Sequence, residues 1–331
     1  MQAKSINKNL FLILLGAAAI LLSLATVYIQ VNDVTLHFLR VQQDKVHQEM
    51  MEGIAGNPWQ YRILADWMID LLIRFAGRLG ISRPEVSTFI AFRFLQCVLI
   101  FLVAGIYYRK LGLPLFANLL GLSILAWGLS YSLYNSDLSF NVYFDIVFYI
   151  IAAILIMDKK FIWVLPLMLL AAFNRETSGL IPFMLISFAY FGDDRKNTLK
   201  PAIFYAMGCL VIFGGIFFGL RLYYGDQPFL TANGYYPGLG LFAMNILNGI
   251  TWEQLLITLG IIPGLAIIAY RSWPTSLKIF FWTVVPAWFL VHFFAAIITE
   301  TRLLLVPQAL IFIPAALFGI PFKNDTEENP T

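Results

Sequence analysis

A small set of ionisable and amide side chains could bind a charged substrate or move a proton. Asp33 closes the first apolar run, and Tyr61 and Arg62 open a mixed stretch after it. Asp137 and Asp145 straddle the start of another apolar run, and Arg93 lies just inside one. Asn174, Arg175 and Glu176 are consecutive, Arg221 ends a long apolar run, and Glu300 and Arg302 frame a later tip. Arginine presents a planar fork of N–H donors that matches phosphate oxygens. A carboxylate can take the proton of a hydroxyl acceptor. Together they would suit a substrate made of a phosphate and a sugar. The competing reading is that Arg175–Glu176 and Glu300–Arg302 are ion pairs that brace helices or close a turn.

Other chemistries lack their motifs. The chain has no phosphate-binding Gly-rich loop ending in Gly-Lys-Ser/Thr, no G-x-S-x-G, no H-E-x-x-H and no dinucleotide fingerprint. Asp137-Leu-Ser is not a paired-acid metal motif for a nucleotide sugar. His37, His47 and His292 are scattered, and Cys97 and Cys209 sit inside apolar runs, so no metal-ligand spacing or disulfide framework emerges. No cofactor is expected, a divalent metal is not indicated, and nothing points to nucleic acid as a partner.

The elements that must position these groups are helices in lipid. Of the 331 residues, 60% are hydrophobic and 12% charged, against about 25% charged in soluble domains. Mean hydropathy is +0.77. The expected fold is all-α: a polytopic membrane bundle of about ten transmembrane helices, with amphipathic helices in the first outer loop. Apolar segments lie near 10–29, 89–108, 114–133, 142–157, 161–173, 178–191, 201–222, 253–270, 279–298 and 303–321. The first follows Lys4 and Lys8 and lacks an A-x-A-like exit, which points to a retained helix rather than a signal peptide. Residues 1–322 form one transmembrane domain on this reading, and 323–331 form a disordered cytoplasmic tail.

Orientation follows from the lysines. Alternate loops hold Lys4 and Lys8, Lys110, Lys159 and Lys160, Lys196 and Lys200, Lys278 and Lys323, which is nine of the ten lysines. Basic residues stay on the cytoplasmic side, so both termini are expected inside. The outer face then carries a long loop at 30–88, a second at 223–252, and tips at 134–141, 174–177 and 299–302. The candidate residues all fall on that face or just beneath it.

The hairpin from Phe161 to Phe191 is the sharpest feature. Its two apolar segments are shorter than the roughly 20 residues a membrane crossing needs. It can span only if the Asn174–Thr177 tip sinks below the surface, which would place Arg175 and Glu176 near membrane depth. Ionisable groups there are costly and default to a functional role. In the first outer loop, Trp59 to Leu79 has apolar residues at helical spacing, an amphipathic helix suited to the headgroup plane. The second outer loop is rich in Gly, Pro and Tyr, suited to a sugar or headgroup ligand or equally to an interfacial belt.

This layout resembles the GT-C class of integral membrane glycosyltransferases. The resemblance lies in a first helix, a long outer loop with an acid near its start and interfacial helices, then a many-helix bundle with short inner loops. The segments NPWQYRIL, NRETSGL and ETRLLLVPQALIFIP are similar to bacterial membrane proteins often grouped with these enzymes. Members of the class move a sugar from a polyprenyl-phosphate carrier to a glycan, lipid or protein acceptor on the outer face. The resemblance implies a bacterial inner-membrane enzyme whose site faces the periplasm or exterior. It implies Asp33 as the catalytic base, with Asp44 the second choice. Arg62, Arg175 and Arg302 would hold the carrier phosphate. Glu176, Asp137 and Asp145 would position sugar hydroxyls or brace the arginines, with Tyr61, Asn174 and Glu300 completing the substrate site. A transporter or flippase for a lipid-linked glycan would use the same arginines. A non-catalytic assembly factor would pair the charges off and leave no pocket.

Overall fold

A chain with this many apolar residues must satisfy its backbone N–H and C=O groups within each segment if lipid surrounds it, and the helix does that. In the computed structural model every apolar run is helical. The structure describes residues 8–134, 136–228, 234 and 236–321, and no strand occurs among them. The expected tail at 323–331, and residues 229–233 and 235 of the second outer loop, lie outside the described residues.

The chain begins with α1 (Lys8–Val34) and a turn, α2 (Leu36–Phe38). The first outer loop contributes α3 (Asp44–Glu52) and α4 (Leu64–Arg78). The next helices are α5 (Pro84–Leu111), α6 (Leu115–Ser130) and α7 (Phe140–Met157). The polar-tipped hairpin forms α8 (Val164–Asn174) and α9 (Ile181–Phe191), followed by α10 (Arg195–Tyr224). Then come α11 (Leu239–Leu247), α12 (Gly249–Leu259), α13 (Ile262–Ile268) and α14 (Thr275–Ala295). The last apolar run is an irregular helix, Thr301–Leu317, that contains α15 (Leu305–Pro307) and α16 (Ile313–Leu317).

Five of these, α1, α5, α7, α10 and α14, are long and apolar enough to cross a membrane. The α12–α13 region bends by 71° at a short break and makes a sixth if counted as one span. Sequence punctuation explains the ends. Pro84 starts α5, where its missing N–H is not needed, and Gly112 stops it with φ 101°, a conformation that favours glycine. Arg109 in the last turn of α5 lies 4.0 Å from the centre of the Phe11 ring and ties α5 to α1.

The distribution of polarity is the reverse of a soluble bundle. Ile13, Leu21, Val211, Phe218 and Leu222 are exposed on α1 and α10. Gln30, Arg93, Asp145, Arg175 and Arg302 are buried. That pattern fits a membrane protein, with polar groups turned inward.

The structure corrects several expected boundaries. Asp33 lies in the last turn of α1, not in the loop after it. The amphipathic helix begins at Leu64, so Tyr61 and Arg62 precede it. Trp59–Tyr61 form a tight turn and Arg62 leaves the helical region with φ −114° and ψ 53°, which lets its side chain reach across to the hairpin.

Close packing of α6 on the last helical run depends on Gly128. A Cβ there would come within 2.6 Å of Gln308 Oε1, and Gln308 is fully buried. Gly128→Ala should destabilise the bundle by about 1–3 kcal/mol through overpacking. The check is the thermal unfolding midpoint in detergent, with an unchanged midpoint showing that Gln308 can move aside.

Candidate functional site

The hairpin break turns the backbone so that three consecutive polar side chains meet protein rather than lipid. Asn174 ends α8, Arg175 is extended, and Glu176 starts a tight helical turn before Pro182 restarts the helix. Arg175 and Asn174 are buried. Asn174 Nδ2 donates to Asp145 Oδ1 at 2.8 Å, Thr177 Oγ1 donates to Asp145 Oδ2 at 2.9 Å, and Arg175 Nη1 lies 3.4 Å from the same oxygen. Asp145 therefore reaches the tip from inside α7 and is neutralised there.

His292 on α14 holds the other edge of Arg175. Its Nδ1–H donates to the Trp288 carbonyl at 2.8 Å, which leaves Nε2 as the acceptor 3.3 Å from Arg175 Nη2. Trp288 stacks on His292 at 4.7 Å between ring centres and donates Nε1–H to the Leu303 carbonyl at 2.7 Å. Arg175 is thus clamped from two sides by buried groups. Burial first, and then the nearby charge of Arg62, lower its pKa to about 10, which leaves it a cation at neutral pH.

Glu176 gathers two further arginines. Arg62 Nε donates to Glu176 Oε2 at 3.0 Å, and Arg221 Nη2 from the end of α10 stands 3.9 Å from Oε1. Burial alone would raise the Glu176 carboxyl. The charges of Arg62 and Arg175 outweigh it and hold the group below the usual carboxylate range. Arg221 lies over the Phe217 ring at 3.5 Å and the Tyr61 ring at 4.4 Å. The Tyr61 hydroxyl donates to the Gly225 carbonyl at 2.8 Å and pins the first outer loop to the end of α10.

Arg302 forms a neighbouring cluster. It donates to Glu300 Oε2 at 2.7 Å and to Asp137 Oδ1 at 2.5 Å, and it also bonds Ser136 Oγ. Trp59 joins the two clusters, because Arg62 and Arg302 lie 5.3 Å and 5.9 Å from its ring centre. The chain-distant residues Tyr61, Arg62, Asp137, Asp145, Asn174, Arg175, Glu176, Glu300 and Arg302 thus form one contiguous polar region.

A cavity of about 460 Å³ opens into this region, between the hairpin tip, α10 and α14. Its polar wall is Arg62, Arg175, Glu176, Thr177, Arg221 and His292. Its apolar wall includes Leu180, Phe213, Trp288 and Val291. Both α10 and α14 pack on α9 without packing closely on each other, which leaves the space open. Arg302 and Asp137 are not among the lining residues. Neither is Asp33, which is exposed and makes no ion pair or hydrogen bond among the described residues. Arg93 stays in the interior, 3.4 Å from the Tyr143 ring centre. Asp44 is bonded by Gln48, one turn on in α3. Among the described residues no three His, Cys, Asp or Glu side chains converge as a metal site.

His292 and Trp59 were not legible as site residues from the sequence. A lone histidine inside an apolar helix was the available signal for the first. The second had none beyond its place next to Arg62. Compared with protein-family models, curated proteins and solved structures, the chain matches none.

Proposed function

We propose that the protein is a membrane glycosyltransferase that moves a sugar from a polyprenyl-phosphate donor to an acceptor on the non-cytoplasmic face. On this reading the ten apolar segments are ten crossings of a bacterial inner membrane, with both termini in the cytoplasm. The observation that carries it is the cavity itself, where Arg62, Arg175 and Arg221 face an apolar wall at one end of the bundle. A lipid-borne phosphate needs both surfaces at once: N–H forks for its oxygens and apolar side chains for its chain. The resemblance in layout and in the segments around Arg62, Arg175 and Arg302 supports the same reading.

In the reaction the acceptor oxygen bonds to the anomeric carbon as the bond from that carbon to the phosphate oxygen breaks. The electron pair leaves on polyprenyl phosphate, whose added negative charge the arginines stabilise. The acceptor proton needs a carboxylate that is not already neutralised. Asp145 and Glu176 each carry arginine partners. Asp33 carries none among the described residues but does not line the cavity, and a base must stand within hydrogen-bond reach of the proton it takes, so Asp33 is the base on this reading only for an acceptor hydroxyl presented between the end of α1 and the cavity.

The test is transfer by purified protein given polyprenyl-phosphate sugars and candidate acceptors. Asp33→Asn should lower turnover at least about 10²-fold, the range of general-base catalysis, with donor binding unchanged. Full turnover in that variant would pass the role of base to Glu176, the carboxylate that lines the cavity. Failure of the wild type to consume any such donor would remove the enzyme reading.

One observation favours a flippase as the second reading. The same three helices, α9, α10 and α14, also wall a cavity of about 390 Å³ at the opposite end, beside Lys159, Asp194 and Thr275. A path along these helices would let a headgroup cross. Movement of a fluorescent lipid-linked glycan between leaflets of liposomes containing the protein, with no sugar transferred, would select it.

A further inference from the structure

Helix α11 (Leu239–Leu247) falls in a segment that the lysine pattern places outside, yet it has no face for water. From Gln227 to Trp252 the chain carries no Asp, Glu, Lys, Arg or His. The one side chain in α11 with a strong hydrogen-bonding group is Asn245, and it is buried. Leu239 and Leu247, at its two ends, are 75% and 82% exposed, and Ile246 is exposed as well. A helix that is apolar on every side belongs in a protein core or in lipid. The contrast is α4, where exposed Leu71 and Phe75 share the surface with the Asp70–Arg74 ion pair, a mixture suited to the boundary with water.

The backbone around α11 is closed in the way lipid requires. Helix ends leave N–H and C=O groups that water normally satisfies. In hydrocarbon each of them must find a partner within the protein. Asn245 Nδ2 donates to the Phe293 and Ala296 carbonyls at 2.9 and 2.8 Å, and its Oδ1 accepts the Ile298 N–H at 2.9 Å. The Gly238 N–H donates to the Phe294 carbonyl at 2.8 Å. The carbonyls at the end of α14 are thus taken by α11 and the residue before it. At the other end of α11, Trp252 Nε1 donates to the Ile246 carbonyl at 2.7 Å, and Asn248 Oδ1 accepts the Ile250 N–H at 3.1 Å. Phe242 stacks on Phe294 at 4.6 Å between ring centres and seats α11 on α14.

We infer that α11 is sunk in the hydrocarbon edge of the outer leaflet and forms a lipid-facing lip beside the cavity. Acyl chains are what cover it. Its exposed side bears no charge, and it sits against α14, a helix long enough to cross a membrane. Leu290, one turn from Phe294 on the same face of α14, is exposed too, so the apolar surface runs on from one helix to the other. Pro237, just before α11, and Val291, Ala295 and Ala296 of α14 line the cavity. The cavity is therefore bordered by lipid on this side, and a ligand carried in the bilayer reaches the arginines without passing through water, whatever reaction follows.

The experiment places an environment-sensitive fluorophore on Leu247→Cys in the full chain, held in lipid nanodiscs. Lys45→Cys on α3, whose native side chain is 67% exposed, gives the aqueous reference. Cys97 and Cys209 are buried, and wild type treated with the same label sets the background. The Leu247 label should emit to the blue of the Lys45 label. Lipids with a nitroxide on the acyl chain should quench it and aqueous iodide should not, the reverse of the reference. Iodide quenching as strong as at Lys45 would overturn the inference and leave the transfer reading intact, with the ligand arriving from water. If neither quencher reaches the label, protein covers α11, as in contact with a second copy, and the inference is equally overturned. Should the cysteine variant fail to fold, wild type is treated with a carbene photolabel dissolved in the bilayer. Tagging of α11 together with the exposed faces of α10 and α14 supports the placement, and tagging of α10 and α14 without α11 overturns it. No sugar donor enters either measurement, so a failure of sugar transfer is told apart from a failure here.

Discussion

Arg175→Ala should cost about 3–5 kcal/mol of folding stability, because it leaves the Asp145 carboxylate buried without its cation. Asp145 is 1% exposed and Arg175 3%, so the pair is shielded from water in the wild type. The variant is expected to unfold at a markedly lower temperature in detergent and to bind no prenyl phosphate. A loss of binding by itself would be ambiguous, since an unfolded protein also binds nothing. The double substitution Asp145→Leu with Arg175→Met separates the two effects. Replacing a buried pair by apolar side chains of similar volume is often neutral or stabilising. The double variant should therefore recover most of the stability and none of the binding. Recovery of both would show that Arg175 is a brace and that the phosphate sits elsewhere. An Arg175→Ala variant as stable as the wild type would show that Asp145 is neutral in the fold, and the electrostatic account of the hairpin tip would go with it.

Arg62→Ala should leave the fold nearly intact and lower turnover by about 10²–10³, the usual loss when one charge-stabilising donor is removed. Arg62 is the most exchangeable member of the cluster. Its partner Glu176 retains Arg221 at 3.9 Å, and the Tyr61 hydroxyl still pins the loop to Gly225. Arg62 nevertheless lines the cavity, where the proposed reaction would have the departing phosphate gain charge. Release of farnesyl phosphate from farnesyl phosphoglucose measures the effect. A fall in kcat and kcat/KM together would place the contact in the transition state, whereas a rise in KM with kcat unchanged would mean ground-state binding only. No change in either would exclude Arg62 from the phosphate site.

The hairpin shows how far local reading reaches. Two apolar segments too short to cross, joined by Asn174, Arg175, Glu176 and Thr177, already implied a sunken polar tip. Arg175 and Glu176 are in ion pairs, but with Asp145, Arg62 and Arg221 rather than with each other, and the pairs border a cavity instead of closing one. Neighbouring residues in a chain point apart, so adjacency was a poor guide to partnership. Glu300 and Arg302 do pair directly, because two residues apart in a tight helical turn their side chains can meet.

Periodicity and composition by themselves determined that the chain is helical, where its apolar runs lie, and which polar residues are too costly to be buried without a purpose. Those properties are local: each follows from the backbone's need for internal hydrogen bonds and from the transfer energy of individual side chains. Only the tertiary structure decided that Arg62, Arg175 and Arg221 share one cavity, that His292 and Trp288 line it, that Trp59 links it to Arg302, and that Asp33 does not line it. Those facts depend on how helices far apart in the chain rotate and tilt as they pack. Helix rotation is set by the fit of many small contacts summed over whole faces, which no single motif encodes.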